Sequence, residues 1–268
     1  MNLTTQNGQL VSRLGLASQY LKEETCVLAA FEAGVNYFFS YSLPEPLFLS
    51  ELTSLVATNR QALLIATGSE TRQLKTLRQY LERVRHALRI DTIDIFFAEY
   101  VSPADEPGGI HALLEELYDW KAKGWIRYVG ISTHTRSIAL EVIEHRQCEV
   151  LMHRYNMAHR KIETDVLPAA QAAAIPVVAF TCTRWGSLLE GHPNWHNAPA
   201  SASDCYRYVL HHSAVQLALT APATKTQLME NLAALTTPAF ISEEVAYWQD
   251  YGDLIYGTGQ DAFETQWL

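Results

Sequence analysis

Residues 72–99 read RQLKTLRQYLERVRHALRIDTIDIFFAE. Leu, Tyr and Val recur at helical spacing up to Leu88, which predicts an amphipathic helix. Ile93-Asp94-Ile95-Phe96-Phe97-Ala98 is then a short apolar run that predicts a buried strand ending at Glu99. The same succession repeats along the chain. Residues 23–33 are helix-like, stop at Gly34 and lead into Val35-Asn36-Tyr37-Phe38-Phe39. Helical residues 47–60 precede the run 62–67, and residues 110–123 stop at Gly124 before 126–132. Residues 135–145 precede 149–153, residues 164–174 precede 175–180, and residues 202–212 precede 215–219, which the helical stretch 225–235 follows. A weaker run, Leu14-Gly15-Leu16, brings the strand count to eight.

Repeated helix and strand units with short apolar strands imply a parallel sheet buried on both faces. Eight of them in 268 residues predict a (β/α)8 TIM barrel, for which about 250 residues is the usual length. A doubly wound sheet would carry a GxGxxG turn after a strand. The single GxG, Gly257-Thr258-Gly259, follows no strand. Asn7-Gly8 between Leu3-Thr4 and Leu10-Val11 predicts a β-hairpin with a type I′ turn ahead of the barrel. No interior linker or low-complexity tract divides the chain, so one domain over residues 1–268 is expected, with residues 236–268 as a tail packing on it.

The charge balance is 20 Lys+Arg against 29 Asp+Glu, a net −9, with 48% hydrophobic and 18% charged residues. That composition fits a large core and argues against a nucleic-acid surface. No apolar run reaches the ~18–20 residues of a membrane span, and the opening MNLTTQNGQ has no export signal, so a soluble, cytoplasmic protein is expected. Cys26, Cys148, Cys182 and Cys205 are widely spaced and read as reduced core thiols. Although there are ten histidines, His192, His196 and the pair His211-His212 have no carboxylate or cysteine at a ligand spacing. No metal is expected.

Six stretches carry a resemblance: Val11-Ser12-Arg13-Leu14-Gly15-Leu16 after the hairpin, Ala33-Gly34-Val35-Asn36-Tyr37-Phe38, Ile93-Asp94-Ile95, Gly124 to Ser132, Arg154-Tyr155-Asn156, and Gln227-Leu228-Met229-Glu230-Asn231-Leu232. In this order and at these intervals they resemble the landmarks of the aldo-keto reductases. The resemblance implies a (β/α)8 barrel plugged at its bottom by the N-terminal hairpin, with NAD(P)H across the C-terminal strand ends. It also implies hydride transfer to a carbonyl, aided by a tyrosine, a lysine, an aspartate and a histidine. All four positions are replaced. The aspartate position holds Phe39, the tyrosine position falls at about Pro44, the lysine position holds Gly68 and the histidine position holds Glu99.

The resemblance keeps part of a cofactor site. Ser132 matches the serine at the nicotinamide carboxamide, Phe180 the stacking aromatic, and Glu230 and Asn231 the pair at adenine. The asparagine and glutamine of the pattern are Thr133 and Met152, and the cations for a 2′-phosphate fall at Ala221 and Gln227, with Lys225 and Lys161 as the alternative cations; NADH loses less than NADPH from these changes. Glu99, at the end of an apolar strand, reads as an acid/base or orienting group, with a structural pair to Arg154, Arg184 or a histidine as the alternative. Tyr41 is the nearest phenol to the lost tyrosine and the other catalytic candidate. Phe39, His134, Arg184 and Trp185 are candidate substrate contacts, the arginine beside tryptophan suiting an anionic or aromatic molecule. Two functions follow. One is an oxidoreductase of atypical mechanism acting on an unknown small molecule with Glu99 in the site. The other is a pseudoenzyme retained to bind or assemble with a protein partner.

Overall fold

The eight apolar runs become eight strands: β1 (Leu14–Ala17), β2 (Tyr37–Ser40), β3 (Leu64–Ser69), β4 (Ile93–Ala98), β5 (Ile126–Thr133), β6 (Val150–Arg154), β7 (Val177–Phe180) and β8 (Val215–Thr220). This is a computed structural model, which describes residues 2–18, 20–41 and 46–259. Each strand pairs in parallel with the next, and β8 closes on β1 with Leu14 opposite Ala218. The helices are α1 (Cys26–Glu32), α2 (Pro46–Asn59), α3 (Leu74–Leu88), α4 (Pro107–Ala122), α5 (Arg136–Glu144), α6 (Val166–Ala173), α7 (Ser187–Glu190), α8 (Ala202–His211), α9 (Lys225–Leu232) and α10 (Ser242–Tyr256). The chain is a (β/α)8 TIM barrel.

Strand periodicity divides the core in two. Tyr37, Leu64, Ile95, Val150 and Leu217 point into the barrel, and Phe39, Ala66, Phe97, Met152 and Leu219 form the layer above them. Their neighbours Phe38, Ile65, Phe96 and Leu151 point outward to the helices. Phe96 meets the fully buried Trp120 of α4 edge to face at 5.2 Å. Each such ring or aliphatic chain contributes about 1.5–3 kcal/mol by leaving water, so both shells hold the barrel closed.

The N-terminal hairpin plugs the bottom. Leu3 and Val11 are buried in the inner cluster, while Arg127 of β5 donates to the Thr4 and Thr5 carbonyls. The turn corrects the expected type I′. Gly8 has φ +83° but Asn7 is not at positive φ, and the Gly8 N–H donates to Thr5 O while the Thr5 N–H donates to Gln9 O. One positive φ rather than two makes this a type I turn followed by a glycine bulge, which needs only the glycine left-handed. Nearby, the buried Asp94 is neutralised by Arg60 at 2.8 Å and Arg127 at 2.7 Å and accepts the Ile65 N–H.

Helix α10 emerges within the stretch read as a tail. Tyr251 donates to Leu188 O at 2.7 Å, Asp253 pairs with Arg160, Tyr247 and Tyr251 pack with Trp195, and Trp248 packs on Tyr251. Gly252 lies so close to Met157 O that a Cβ would fall 2.1 Å from it, which is why no larger residue fits there. The remainder of that expected tail, residues 260–268, lies outside the described residues. All four cysteines are buried and in the free form. Among the described residues no helix is long and apolar enough to cross a membrane, and no group of three His, Cys, Asp or Glu side chains is arranged to hold a metal.

Candidate active site

Inward-facing positions at the C-terminal strand ends open onto a cavity of about 350 Å³. Phe39 forms part of its floor, 5% exposed and edge to face with Phe97 at 6.0 Å. Ala17, Met152 and Leu219 continue that floor, and Ser132 and Phe180 stand at its side. The end of β4 delivers Glu99, which continues the inward series Ile95, Phe97. The residue is 3% exposed and Oε1 has no hydrogen-bond partner. Its backbone is fixed instead, with the N–H donating to Ser69 O and the carbonyl accepting from Arg72. Burial, reinforced by the nearby Glu70 and only partly offset by Arg72, raises the Glu99 pKa well above the ordinary carboxylate range. The same carboxylate also borders a second hollow lined by Ser69, Glu70, Tyr80 and Arg83 beside α3.

Glu99 can sit there because position 68 has no side chain. A Cβ on Gly68 would lie 2.7 Å from both Glu99 Cγ and Oε1 and 2.6 Å from Phe97 O. The lysine expected by resemblance at this position has no space beside Glu99.

Tyr41 lines the cavity, half-buried, and donates its phenolic hydrogen to Glu70. Burial first, then the Glu70 hydrogen bond, pushes its pKa far above that of a free phenol, so the hydroxyl stays protonated and its hydrogen is already engaged. Pro44, at the expected tyrosine position, lies outside the described residues.

Tyr100 escaped the sequence reading. It lines the cavity at φ +51°, packs edge to face on Tyr41 at 5.9 Å and stacks on His134 at 5.4 Å. Its N–H donates to Ser132 Oγ at 3.4 Å. Thr181 and Trp185, also in the lining, have φ +54°. Left-handed backbone at non-glycine residues costs on the order of 1–3 kcal/mol each and gathers where function requires it. Three such residues ring this one cavity.

The other sequence-predicted residues are placed unevenly. Trp185 is 50% exposed and forms part of the rim. His134 lies behind the lining, supporting Tyr100 and, at 5.0 Å, Phe180; burial first, then Arg154, lowers its pKa to about 3, so it is neutral. Arg184 differs from the expected substrate contact. It is 8% exposed at φ +51°, donates to Ser187 Oγ at 3.4 Å and is not among the described lining residues. Asn231 is buried and donates to Thr220 Oγ1 at 2.7 Å, while Glu230 is exposed on α9. Thr133 is turned outward and donates to Val101 O, and Gln227 accepts from the Ala223 N–H.

Comparison with known proteins places this geometry. The family model for the Aldo/keto reductase family matches residues 18–204. The structure is similar to aldo-keto reductase AKR11C1 from Bacillus halodurans in its holo form, with TM-score 0.77 and 20% identity over 93% of this chain and 95% of that one. It is also similar to an aldo-keto reductase from Klebsiella pneumoniae in complex with NADPH, with TM-score 0.75 and 18% identity over 94% and 95%. At these identities the likeness shows the fold. No curated protein matches the chain. With the barrel, the cavity at its strand ends and the family match over most of the strands together, the chain belongs to the aldo/keto reductase family.

Proposed function

We propose that the protein is an NAD(P)H-dependent oxidoreductase of atypical mechanism, acting on a small molecule in the cavity with Glu99 in the place of the usual histidine. The observation that carries this reading is the buried Glu99, whose Oε1 has no hydrogen-bond partner and which lines the cavity together with Ser132 and Phe180. The nicotinamide end of the cofactor fits the residues present. The half-buried Phe180 ring offers a stacking face, and Ser132 accepts from Tyr100, which leaves its O–H to donate. At the phosphate end, Ala221 and Gln227 supply no cation and Gln227 is engaged within its own loop, which supports NADH over NADPH. Glu230 and Asn231 would meet the adenine from α9. A bound nicotinamide supplies a hydride.

The protein's own part is to position the substrate and meet its charge. Phe39 and Phe180 exclude water around the reacting carbon, and Trp185 and Tyr100 form the walls. Glu99 is the only carboxylate among the described lining residues. Protonated, it donates to an acceptor; ionised, it meets a donor or a cation. Tyr41 orders this wall through Glu70 and Tyr100. The pseudoenzyme reading draws on one observation, that the lysine's place is occupied by the Glu99 carboxyl. Titration with NADH and NADPH, followed by protein fluorescence, separates the two. Saturable quenching, tighter for NADH, is expected, and an unchanged signal at about millimolar cofactor, far above ordinary working concentrations, would overturn the oxidoreductase.

A further inference from the structure

The charge of the cavity runs opposite to what carbonyl reduction needs. Adding hydride to a carbonyl places negative charge on oxygen, which calls for nearby donors or cations. Here the described lining residues include no lysine, arginine or histidine. They present aromatic rings, among them Tyr20, Tyr41, Tyr100 and Trp185, and a single carboxylate, that of Glu99, whose Oε1 has no partner although the residue is only 3% exposed. A buried, unpartnered carboxylate is unfavourable until a positive group reaches it, and aromatic faces attract organic cations. Two of the four replacements, at the lysine and histidine positions, move the site the same way. Gly68 removes a cation, and Glu99 puts an acid where a neutral or positive imidazole would stand.

On the reading given above, we infer that the cavity binds a small organic cation against Glu99 and that the reducible substrate is an iminium ion. The chemistry then balances without the missing residues. The iminium carbon takes the hydride and its two electrons, forming a C–H bond. The C=N π pair becomes the nitrogen lone pair, the product is a neutral amine, and the nicotinamide is oxidised. No proton enters, so the absence of an acidic tyrosine and its lysine is no handicap. The Glu99 carboxylate holds the cation before transfer and releases the neutral amine after it.

The test starts without cofactor. Calorimetric titration compares N-methyl-3,4-dihydroisoquinolinium with the neutral ketone 1-tetralone, in the wild-type protein and in Glu99→Gln. The wild type is expected to bind the cation at least ~10-fold more tightly than the ketone. Glu99→Gln, equal in size, is expected to lose that preference while still binding the ketone; Glu99→Asp, a shorter carboxylate, should keep part of it and serves if the glutamine variant fails to fold. Equal binding of cation and ketone by the wild type, or an undiminished preference in Glu99→Gln, would overturn the inference. With NADH added, conversion of the iminium to the tertiary amine is expected to outpace reduction of 1-tetralone, and the reverse order would also overturn it. A protein that prefers the cation through Glu99 but takes up neither NADH nor NADPH would uphold the cation site and overturn the oxidoreductase reading instead.

Discussion

The Glu99 carboxyl group fills the space into which any side chain at position 68 would project, with Oε1 2.7 Å from the place of a Gly68 Cβ. The missing lysine and the missing histidine are therefore one coupled change in the wall between β3 and β4. Gly68→Ala is expected to destabilise the protein by about 1–3 kcal/mol, as overpacking of a tight interior does. Glu99→Ala in the same background should recover only part of the loss, because Phe97 O remains 2.6 Å from the new methyl group. Urea unfolding of the two single variants and the double variant checks this; an alanine variant as stable as the wild type would refute the contact.

Burial of Glu99 links its proton to stability. Its folded pKa is raised above the unfolded value, which is about 4.3. The folded state therefore binds more protons between the two pKa values, and the stability from the protonated carboxyl is fully present below the unfolded pKa and lost as pH rises through the folded one. Glu99→Gln mimics the protonated form at every pH. Its melting temperature relative to the wild type is expected to rise with pH above about 4.3, and a difference that stays flat or shrinks would contradict the burial argument.

The histidines act in the opposite sense. Burial lowers the pKa of His153 to about 4, with its Nδ1 at 3.0 Å from Arg154 O, and that of His159 to about 2. A depressed histidine contributes stability that is present above its unfolded pKa of about 6.5 and is lost as pH falls toward the folded value. His153 alone should make the protein about 2 kcal/mol less stable at about pH 5 than at about pH 7. In His153→Gln the acid limb of denaturant-measured stability should flatten by about one proton; an unchanged slope would mean that His153 is already charged when folded.

Tyr41 and Glu99 should separate kinetically. Since the Tyr41 hydrogen is held by Glu70, Tyr41→Phe disturbs the order of the wall and leaves the charge of the cavity as it was. With a substrate in hand, it is expected to lower kcat/KM by less than about tenfold, against at least about a hundredfold for Glu99→Gln, the scale of losing a buried charge partner. Equal losses in the two variants would place the phenol at the reacting atoms instead.

The barrel is legible because its signals are local. Apolar runs such as Ile93 to Ala98, punctuated by Gly34 and Gly124, mark buried strands and helix ends, and all eight runs close in chain order. Glu99 is legible for a related reason, since a carboxylate at the end of an apolar strand in a barrel faces its mouth. What the sequence hides is backbone conformation and what only the tertiary fold brings together. Nothing in one sequence marks Tyr100, Thr181, Arg184 and Trp185 for positive φ, so neither the presence of Tyr100 in the lining nor the absence of Arg184 from it is legible there. Asn7-Gly8 reads equally well as either hairpin turn until the φ of Asn7 is known. Tyr20 and Tyr206 reach the cavity from outside the strands, so no rule about strand ends finds them. Helix α10 went unread because the aromatic residues that anchor it, Tyr247 and Tyr251, meet their partner Trp195 far away in the sequence.

The central claim is that a nicotinamide lies in this cavity beside Glu99. Crystals soaked with NADH, and in parallel with NADPH, test it most directly. The account predicts a nicotinamide ring stacked on Phe180, its carboxamide at Ser132 and the face to be reduced against turned toward Glu99. Crystals whose cavity stays free of dinucleotide at saturating cofactor, or a dinucleotide bound elsewhere on the barrel, would contradict it.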